Sequence, residues 1–244
     1  MRVLSIALTL TALMASSASA AIMSLQRNGM TAGTDSRKVT ILTVPYGPGS
    51  DTSAKIPGTI RAGGFDMTDL GGVSGNFVAW CLDLEHWLHT LAEYTPTDTP
   101  FSNSFMDDAG RARVQNVFDA NFDSVDPTQG IASASFQLAL WEAVYDTGYD
   151  LTSGVFTAEG DGPGEASISA TAASYLDNAR NYSGGQRHNL TFLQSLPYTS
   201  GDFTHSQNLV TATVSAVPLP AASMALLTGL GGLVLVRRRR KTEA

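Results

Sequence analysis

The chain carries a single cysteine, Cys81, among its 244 residues, and this limits how the fold can be stabilised. Residues 1–20 read as a secretory signal, with Arg2 at the start, an apolar run over 3–14, and a small-residue cleavage site between Ala20 and Ala21. Exported domains commonly rely on disulfides, and one cysteine excludes any within the chain. A packed apolar core must therefore hold the mature protein together, and a hydrophobic content of 43% is sufficient for one.

A second targeting segment lies towards the C-terminus. Residues 221–236 are uncharged and rich in Leu, Gly and Ala, and a basic run over 237–241 follows directly. This order is typical of a membrane-spanning segment with a cytoplasmic basic flank, although the stretch is short against the roughly 20 residues of a spanning helix. We therefore expect a signal peptide over 1–20, an extracellular domain over 21–216 and a sorting segment over 217–244.

The start of the sorting segment resembles a known signal. Val217, Pro218, Leu219, Pro220 and Ala221, followed by the apolar stretch and the Arg run, are similar to the VPLPA variant of the PEP-CTERM sorting signal. The resemblance implies a Gram-negative bacterium and an exosortase-type membrane protease that cuts near the prolines. It also implies a location at the cell surface or in the extracellular matrix, and it says nothing about activity.

The domain between these ends changes its periodicity twice. Short β-prone runs bounded by turn residues predict strands over 38–46, 63–67, 76–84, 190–198 and 209–217. Helical periodicity predicts helices over 105–122, 131–146 and about 164–180. The order strands, helices, strands favours an α+β fold: a mostly antiparallel sheet, sandwich or barrel-like, with a helical insertion.

Two strings stand out within this domain. Cys81 lies in the run Phe-Val-Ala-Trp-Cys-Leu-Asp over 77–83, and Gln137 lies in the run Phe-Gln-Leu-Ala-Leu-Trp-Glu over 136–142. An amide in such apolar surroundings is at least partly buried and needs a partner. A structural hydrogen bond satisfies that need, and so does a covalent bond to the lone thiol.

Together the two strings resemble the paired motifs of bacterial surface thioester domains of the Cys-Gln, or TQXA, type. The resemblance implies an internal thioester with Cys81 as sulfur donor and Gln137 as acyl donor. It assigns supporting positions to Trp80, Asp83, Ala139 and Trp141. Phe136 stands where that family often has Thr, and there is no LPxTG-type anchor or long stalk of repeats.

Thioester formation makes physical demands on the fold. Attack of a thiolate on a carboxamide, with loss of ammonia, needs enforced proximity, for which effective molarities of about 10⁵ M or more are known. The fold must favour the thiolate and then exclude water, for which Trp80 and Trp141 are the expected shields. The product would capture an amine-bearing partner once, without turnover, so we expect no enzyme activity. The net charge of −7 favours Lys-rich partners.

Other functions have weaker support. The acidic composition and the absence of a basic patch argue against nucleic-acid binding. A thiol hydrolase built on Cys81 with His86 or His89 and a calcium site at 159–162 both lack a specific motif. A zinc site of Cys81, Glu85, His86 and His89 is disfavoured because the alternation through 83, 85 and 87 indicates a strand, whose two faces would separate the ligands. We expect no metal and no cofactor. The alternative to a thioester protein is a non-covalent structural or carbohydrate-binding matrix protein in which Cys81 is simply buried.

Overall fold

The computed structural model describes residues 22–45, 56–72, 74–98, 106–161, 166–197 and 205–214. The expected signal peptide with its cleavage site at Ala20 and Ala21, the motif over 217–221 and the expected membrane span all lie outside these residues. Within the described residues, no helix is long and apolar enough to cross a membrane.

The described part of the chain forms nine strands and three α-helices. In chain order they are β1 (Met23–Met30), β2 (Arg37–Thr43), β3 (Gly58–Ala62), β4 (Phe65–Asp69), β5 (Asn76–Cys81), β6 (Leu91–Thr97), α1 (Asp108–Asn121), α2 (Gly130–Tyr145), β7 (Thr157–Gly160), α3 (Ala166–Arg180), β8 (His188–Ser195) and β9 (Leu209–Val214).

Six strands close into an antiparallel barrel in the order β1, β4, β5, β9, β8, β6. The remaining three form a small antiparallel sheet in the order β3, β2, β7. In the barrel, Trp80 of β5 pairs with Val210 of β9, and Cys81 pairs with Leu209. The end of β5 therefore lies beside the residues that lead into β9, and the Leu82 amide donates to the Asn208 carbonyl at 2.9 Å.

The helices form a layer beside the sheets. Helices α1 and α2 are inserted between β6 and β7, and α2 packs against α1, α3 and the strands β2, β3 and β5. Nearly every side chain of α2 from Ser133 to Tyr145 is buried, which explains why this segment is apolar almost all round. The Phe136 ring meets the Trp80 ring of β5 edge-on, with centroids 4.8 Å apart.

The predicted fold class is confirmed: a mixed fold of mostly antiparallel strands, including a barrel, with a helical insertion that carries Gln137. Helix α1 begins later than predicted because the Asp107 carboxylate caps it by accepting from the Gly110 amide at 2.7 Å. The strand predicted over 76–84 ends at Cys81, and residues 82–84 are not part of a strand. Strands β1, β3, β6 and β7 were not predicted.

The N-terminus of α2 is capped from a distant part of the chain. The Asp35 carboxylate accepts a hydrogen bond from the Gly130 amide at 2.7 Å, where a negative charge also complements the helix dipole. A Cβ atom on Gly130 would overlap with the Asp35 carbonyl oxygen. A glycine at this position thus allows the helix that carries Gln137 to dock.

We predict that Gly130→Ala lowers the free energy of unfolding by about 1–3 kcal/mol, because the backbone of Asp35 must shift. Urea unfolding followed by circular dichroism measures the change. The matched control is Gly185→Ala, whose Cβ meets nothing within 4 Å and which is expected to stay within about 0.5 kcal/mol of the parent. Equal stabilities for the two variants would contradict this description of the docking.

Candidate functional site

The candidate site is built around Cys81 at the C-terminal end of β5, where the side chain is buried. Gln137 of α2 reaches it with both atoms of its amide. The Cys81 amide donates to Gln137 Oε1 at 3.0 Å, and Gln137 Nε2 donates to the Cys81 carbonyl oxygen at 2.7 Å. The contact between the two residues therefore joins the side chain of Gln137 to the backbone of Cys81.

The thiol of Cys81 has a different partner. Its Sγ donates to Oε1 of Gln207, and the two atoms are 2.7 Å apart. Gln207 lies in the segment 205–208 that leads into β9, and its side chain is 9% exposed. Two buried glutamine amides therefore flank one cysteine, one on its backbone and one on its sulfur.

Gln207 is fixed from several directions. Its Nε2 donates to the Asp83 carbonyl oxygen at 2.8 Å, so both polar atoms of the Gln207 amide are hydrogen-bonded. Its backbone amide donates to the Trp87 carbonyl oxygen at 3.2 Å. The Tyr94 hydroxyl lies 3.0 Å from its carbonyl oxygen and 2.9 Å from Ser206 Oγ. Burial raises the pKa of Tyr94, which keeps this hydroxyl a donor.

Asp83 positions the segment that carries Gln207. Its Oδ2 accepts from both the backbone amide and the Nδ2 of Asn208, each at 2.7 Å. Its Oδ1 lies 3.3 Å from the backbone nitrogen of His86 and 3.4 Å from His86 Nδ1. This buried carboxylate therefore ties the turn after β5 to the residues before β9, which gives the Asp of the sequence motif a structural role.

The electrostatics of the site disfavour the thiolate. Burial raises the pKa of Cys81 well above its usual value, the nearby Asp83 carboxylate raises this pKa further, and Arg27 opposes them. The expectation that the fold favours a thiolate is therefore wrong for the resting site. The proton is held on sulfur and faces an amide oxygen.

The tryptophans of the two motifs are both buried, with different neighbours. Trp80 lies in the core against Phe136, and Trp141 lines a cavity of about 380 Å³ that reaches Cys81. Ala139 is fully buried within α2. The aromatic Phe136, at a position for which the resemblance suggests Thr, fills the space against Trp80.

The cavity opens beside all three site residues. Its lining includes Cys81, Gln137 and Gln207, three cationic side chains, His86, and a set of apolar and aromatic groups. The remaining lining residues are Arg27, Met30, Lys38, Ile56, Thr59, Ile60, Arg61, Gly63, Phe65, Trp87, Leu88 and Trp141. A molecule in this cavity would lie beside Cys81 and both glutamines.

The geometry gives little support to the hydrolase, zinc and calcium hypotheses. The imidazole of His86 faces Asp83, and the His89 backbone nitrogen donates to Ser206 Oγ at 3.1 Å. Residues 82–90 are not a strand, contrary to our argument against a zinc site, and no group of three potential metal ligands occurs among the described residues. The acidic turn at 159–162 is described only as far as Asp161.

Comparison with known proteins adds little. No protein family and no curated protein matches the chain. Among solved structures, the fold is weakly similar to the Bacillus anthracis TIE protein, with 10% identity and a TM-score of 0.33. That match covers 75% of this chain and 39% of the other.

Sequence reasoning missed Gln207. The one available signal is the run Ser206-Gln207-Asn208 directly before the apolar start of β9, which repeats the pattern of an amide beside buried strand residues. Polar residues before a strand ordinarily read as a turn. The pairing of β5 with β9 and the bonds of Asp83 to Asn208 bring this amide to the sulfur.

One further carboxyl group on α2 is strongly perturbed. Glu142 is fully buried, and its Oε1 accepts from the Asp150 amide at 2.8 Å. Burial is the main cause that raises its pKa to about 7, and the neighbouring Asp146 and Asp150 add to the effect. Glu142 thus contacts the loop after α2.

We predict that Glu142 makes stability depend on pH between about 4.5 and 7. Because its pKa is raised in the folded state, ionisation favours unfolding, and stability falls as pH rises through this window. Glu142→Gln keeps the acceptor for Asp150 and lacks the charge. Urea unfolding at several pH values should show it gaining about 2–3 kcal/mol on the parent across the window.

The exposed Glu159 of β7 provides the matched control. Glu159→Gln replaces one exposed carboxylate and should change the free energy of unfolding by less than about 0.5 kcal/mol. Parallel profiles for the parent and Glu142→Gln would contradict the assignment of a neutral buried Glu142.

Proposed function

We propose that the chain is an exported bacterial surface or matrix protein that carries an internal thioester for covalent attachment to a partner. The observation that carries this proposal is the 2.7 Å separation between Cys81 Sγ and Gln207 Oε1 in a buried site. A sulfur and an oxygen bound to one thioester carbonyl carbon lie about this far apart. The contact places the thiol beside the amide that it would attack, which is the proximity that this chemistry needs.

The same contacts favour Gln207 over Gln137 as the acyl donor. Both polar atoms of the Gln137 amide are occupied by the Cys81 backbone. The hydrogen bond of the thiol goes to Gln207, whose amide nitrogen is held on the Asp83 carbonyl oxygen. We therefore assign Gln137 the role of positioning Cys81, and we replace the acyl-donor assignment suggested by the sequence resemblance with Gln207.

The step balances without any added reactant. Cys81 Sγ bonds to the Gln207 carbonyl carbon while the thiol proton passes to the amide, the carbon–nitrogen bond breaks, and ammonia leaves. The hydrogen bond from the thiol to Oε1 suits a neutral thiol, because it polarises the carbonyl as the sulfur approaches. The raised pKa of Cys81 is therefore compatible with this chemistry.

The product would act once. A nucleophile on a partner would attack the Gln207 carbonyl carbon and become attached, and the Cys81 thiol would be released. No turnover follows, so the protein would be an attachment device rather than an enzyme. Residues 1–20 and 217–244 would supply its address: secretion, a transient membrane span and processing by an exosortase-type protease.

The first prediction of this proposal concerns mass. The full chain, purified near neutral pH, should be lighter than its sequence by one ammonia, after allowance for signal removal. Methylamine should add to it, and peptide mapping should find the adduct on Gln207. The variants Cys81→Ala and Gln207→Ala should have full mass and take up no methylamine.

Gln194→Ala on the exposed face of β8 is the matched control and should keep the deficit. Full mass with an unmodified Gln207 peptide in the parent would overturn the covalent function. That result would favour the alternative, a non-covalent matrix protein with a buried thiol. An adduct on Gln137 would overturn our choice of acyl donor alone.

The second prediction separates the two glutamines. Gln137→Ala leaves the buried N–H and C=O groups of Cys81 without partners, so we expect a loss of about 1–3 kcal/mol in unfolding free energy. The deficit of ammonia should still form, more slowly, when refolding is followed by mass spectrometry. Gln137→Glu keeps the acceptor for the Cys81 amide and should be affected less. If neither variant ever forms the deficit while both stay folded, Gln137 takes part in the bond.

A further inference from the structure

We infer that the cavity beside Cys81 receives an acidic polysaccharide, and that a hydroxyl group of this ligand is the nucleophile attached at Gln207. The covalent step rests on the proposed thioester, whereas recognition in the cavity does not. An acidic polysaccharide differs from the Lys-rich partner expected from net charge.

The charges of the cavity oppose those of the whole chain. The sequence has 22 acidic and 15 basic residues, yet among the described residues the lining holds Arg27, Lys38 and Arg61 and neither Asp nor Glu. Lys38 and Arg61 also border a neighbouring cleft that contains Asp35 and Asp161, which offset part of their charge. Clefts lined by one sign of charge concentrate ligands of the opposite sign.

Arg27 is the cation that most needs a ligand. Within the described residues it forms no ion pair, and its buried Nε has no hydrogen-bond partner. Its guanidinium group lies over the Phe65 ring, 5.9 Å from the centroid. The carboxylate of Asp83 is engaged by Asn208 and His86 and does not line the cavity. A carboxylate on a bound ligand would give Arg27 a charge-assisted partner.

A second donor in the lining is also unsatisfied. The indole Nε1 of Trp141 is buried and has no hydrogen-bond partner among the described residues. Buried donors without acceptors are costly, so a ligand rich in oxygen atoms is favoured here. Trp87, with 44% of its surface exposed, adds an aromatic wall. Flat apolar walls combined with a few polar groups suit a sugar ring.

The same charges select the nucleophile. A protonated lysine would be repelled by Arg27 and Lys38, and only its neutral form reacts. A sugar that bears a carboxylate would be attracted, and its hydroxyls would lie near the sulfur and the Gln207 carbonyl. The hydroxyl oxygen would bond to that carbonyl carbon as the carbon–sulfur bond breaks. Cys81 Sγ would take the electron pair and the hydroxyl proton, leaving an ester.

Binding is tested first without the covalent step. In the full chain with Cys81→Ala, or Cys81→Ser if the former is poorly folded, calorimetry should show tetragalacturonate binding at least about tenfold more tightly than neutral maltotetraose. Adding Arg27→Gln should abolish the difference. Arg180→Gln on α3 makes the same change in charge away from the cavity and should preserve it.

Equal affinities for the two sugars, or a preference that survives Arg27→Gln, would overturn the inference. A tetraglutamate peptide that binds as tightly as tetragalacturonate would also overturn it, because the site would then recognise anions of any kind.

The covalent step is tested on the parent chain with the same sugars and with Nα-acetyl-lysine amide. Tetragalacturonate should form a hydroxylamine-sensitive adduct at Gln207 about tenfold faster than either of the others. Methylamine uptake serves as the independent reading of the thioester. Uptake of methylamine with no preference for the acidic sugar would contradict the inference alone, whereas the absence of both the ammonia deficit and methylamine uptake would contradict the proposed function.

Discussion

The pair of hydrogen bonds between the Gln137 amide and the Cys81 backbone joins the two layers of this protein at its centre. Strand β5 ends at Cys81, so the backbone groups there have no further strand neighbour on that side. A side chain from α2 replaces that neighbour, in a region where unsatisfied polar groups are costly. The capping of α2 by Asp35 and the contact of Phe136 with Trp80 both serve this docking.

With the backbone of Cys81 held by Gln137, the sulfur points towards the segment 205–208. The turn tied together by Asp83 brings Gln207 into that direction, and the amide of Gln207 is held between the thiol and a backbone carbonyl. Burial keeps the thiol protonated, and the cavity with Arg27 provides access from one side. Under the proposed function the arrangement would separate three tasks: Gln137 would position Cys81, Gln207 would supply the acyl group, and the cavity would receive the partner.

Sequence patterns predicted the class of fold and drew attention to Cys81 and Gln137, which the structure brings into contact. Helix α2 and the runs around Cys81 and Gln137 could be predicted because they are long and apolar. Gln137 stood out as an amide in apolar surroundings. Strands β1 and β6 were missed because the positions that alternate with their exposed residues are not consistently apolar: Arg27 follows Leu25 on the inward face of β1, and Pro96 follows Tyr94 on that of β6. Gln207 was missed for a different reason. Its role depends on contact with Cys81, which lies 126 residues away in the sequence and is brought close by the pairing of β5 with β9. No local pattern encodes that contact.

The most direct test is a crystal structure of the full chain after processing, grown near neutral pH. We predict continuous density between Cys81 Sγ and the Gln207 carbonyl carbon, with the Gln137 amide on the backbone of Cys81. A free thiol with the Gln207 side chain turned away, or density that joins the sulfur to Gln137, would contradict the assignment of the two glutamines.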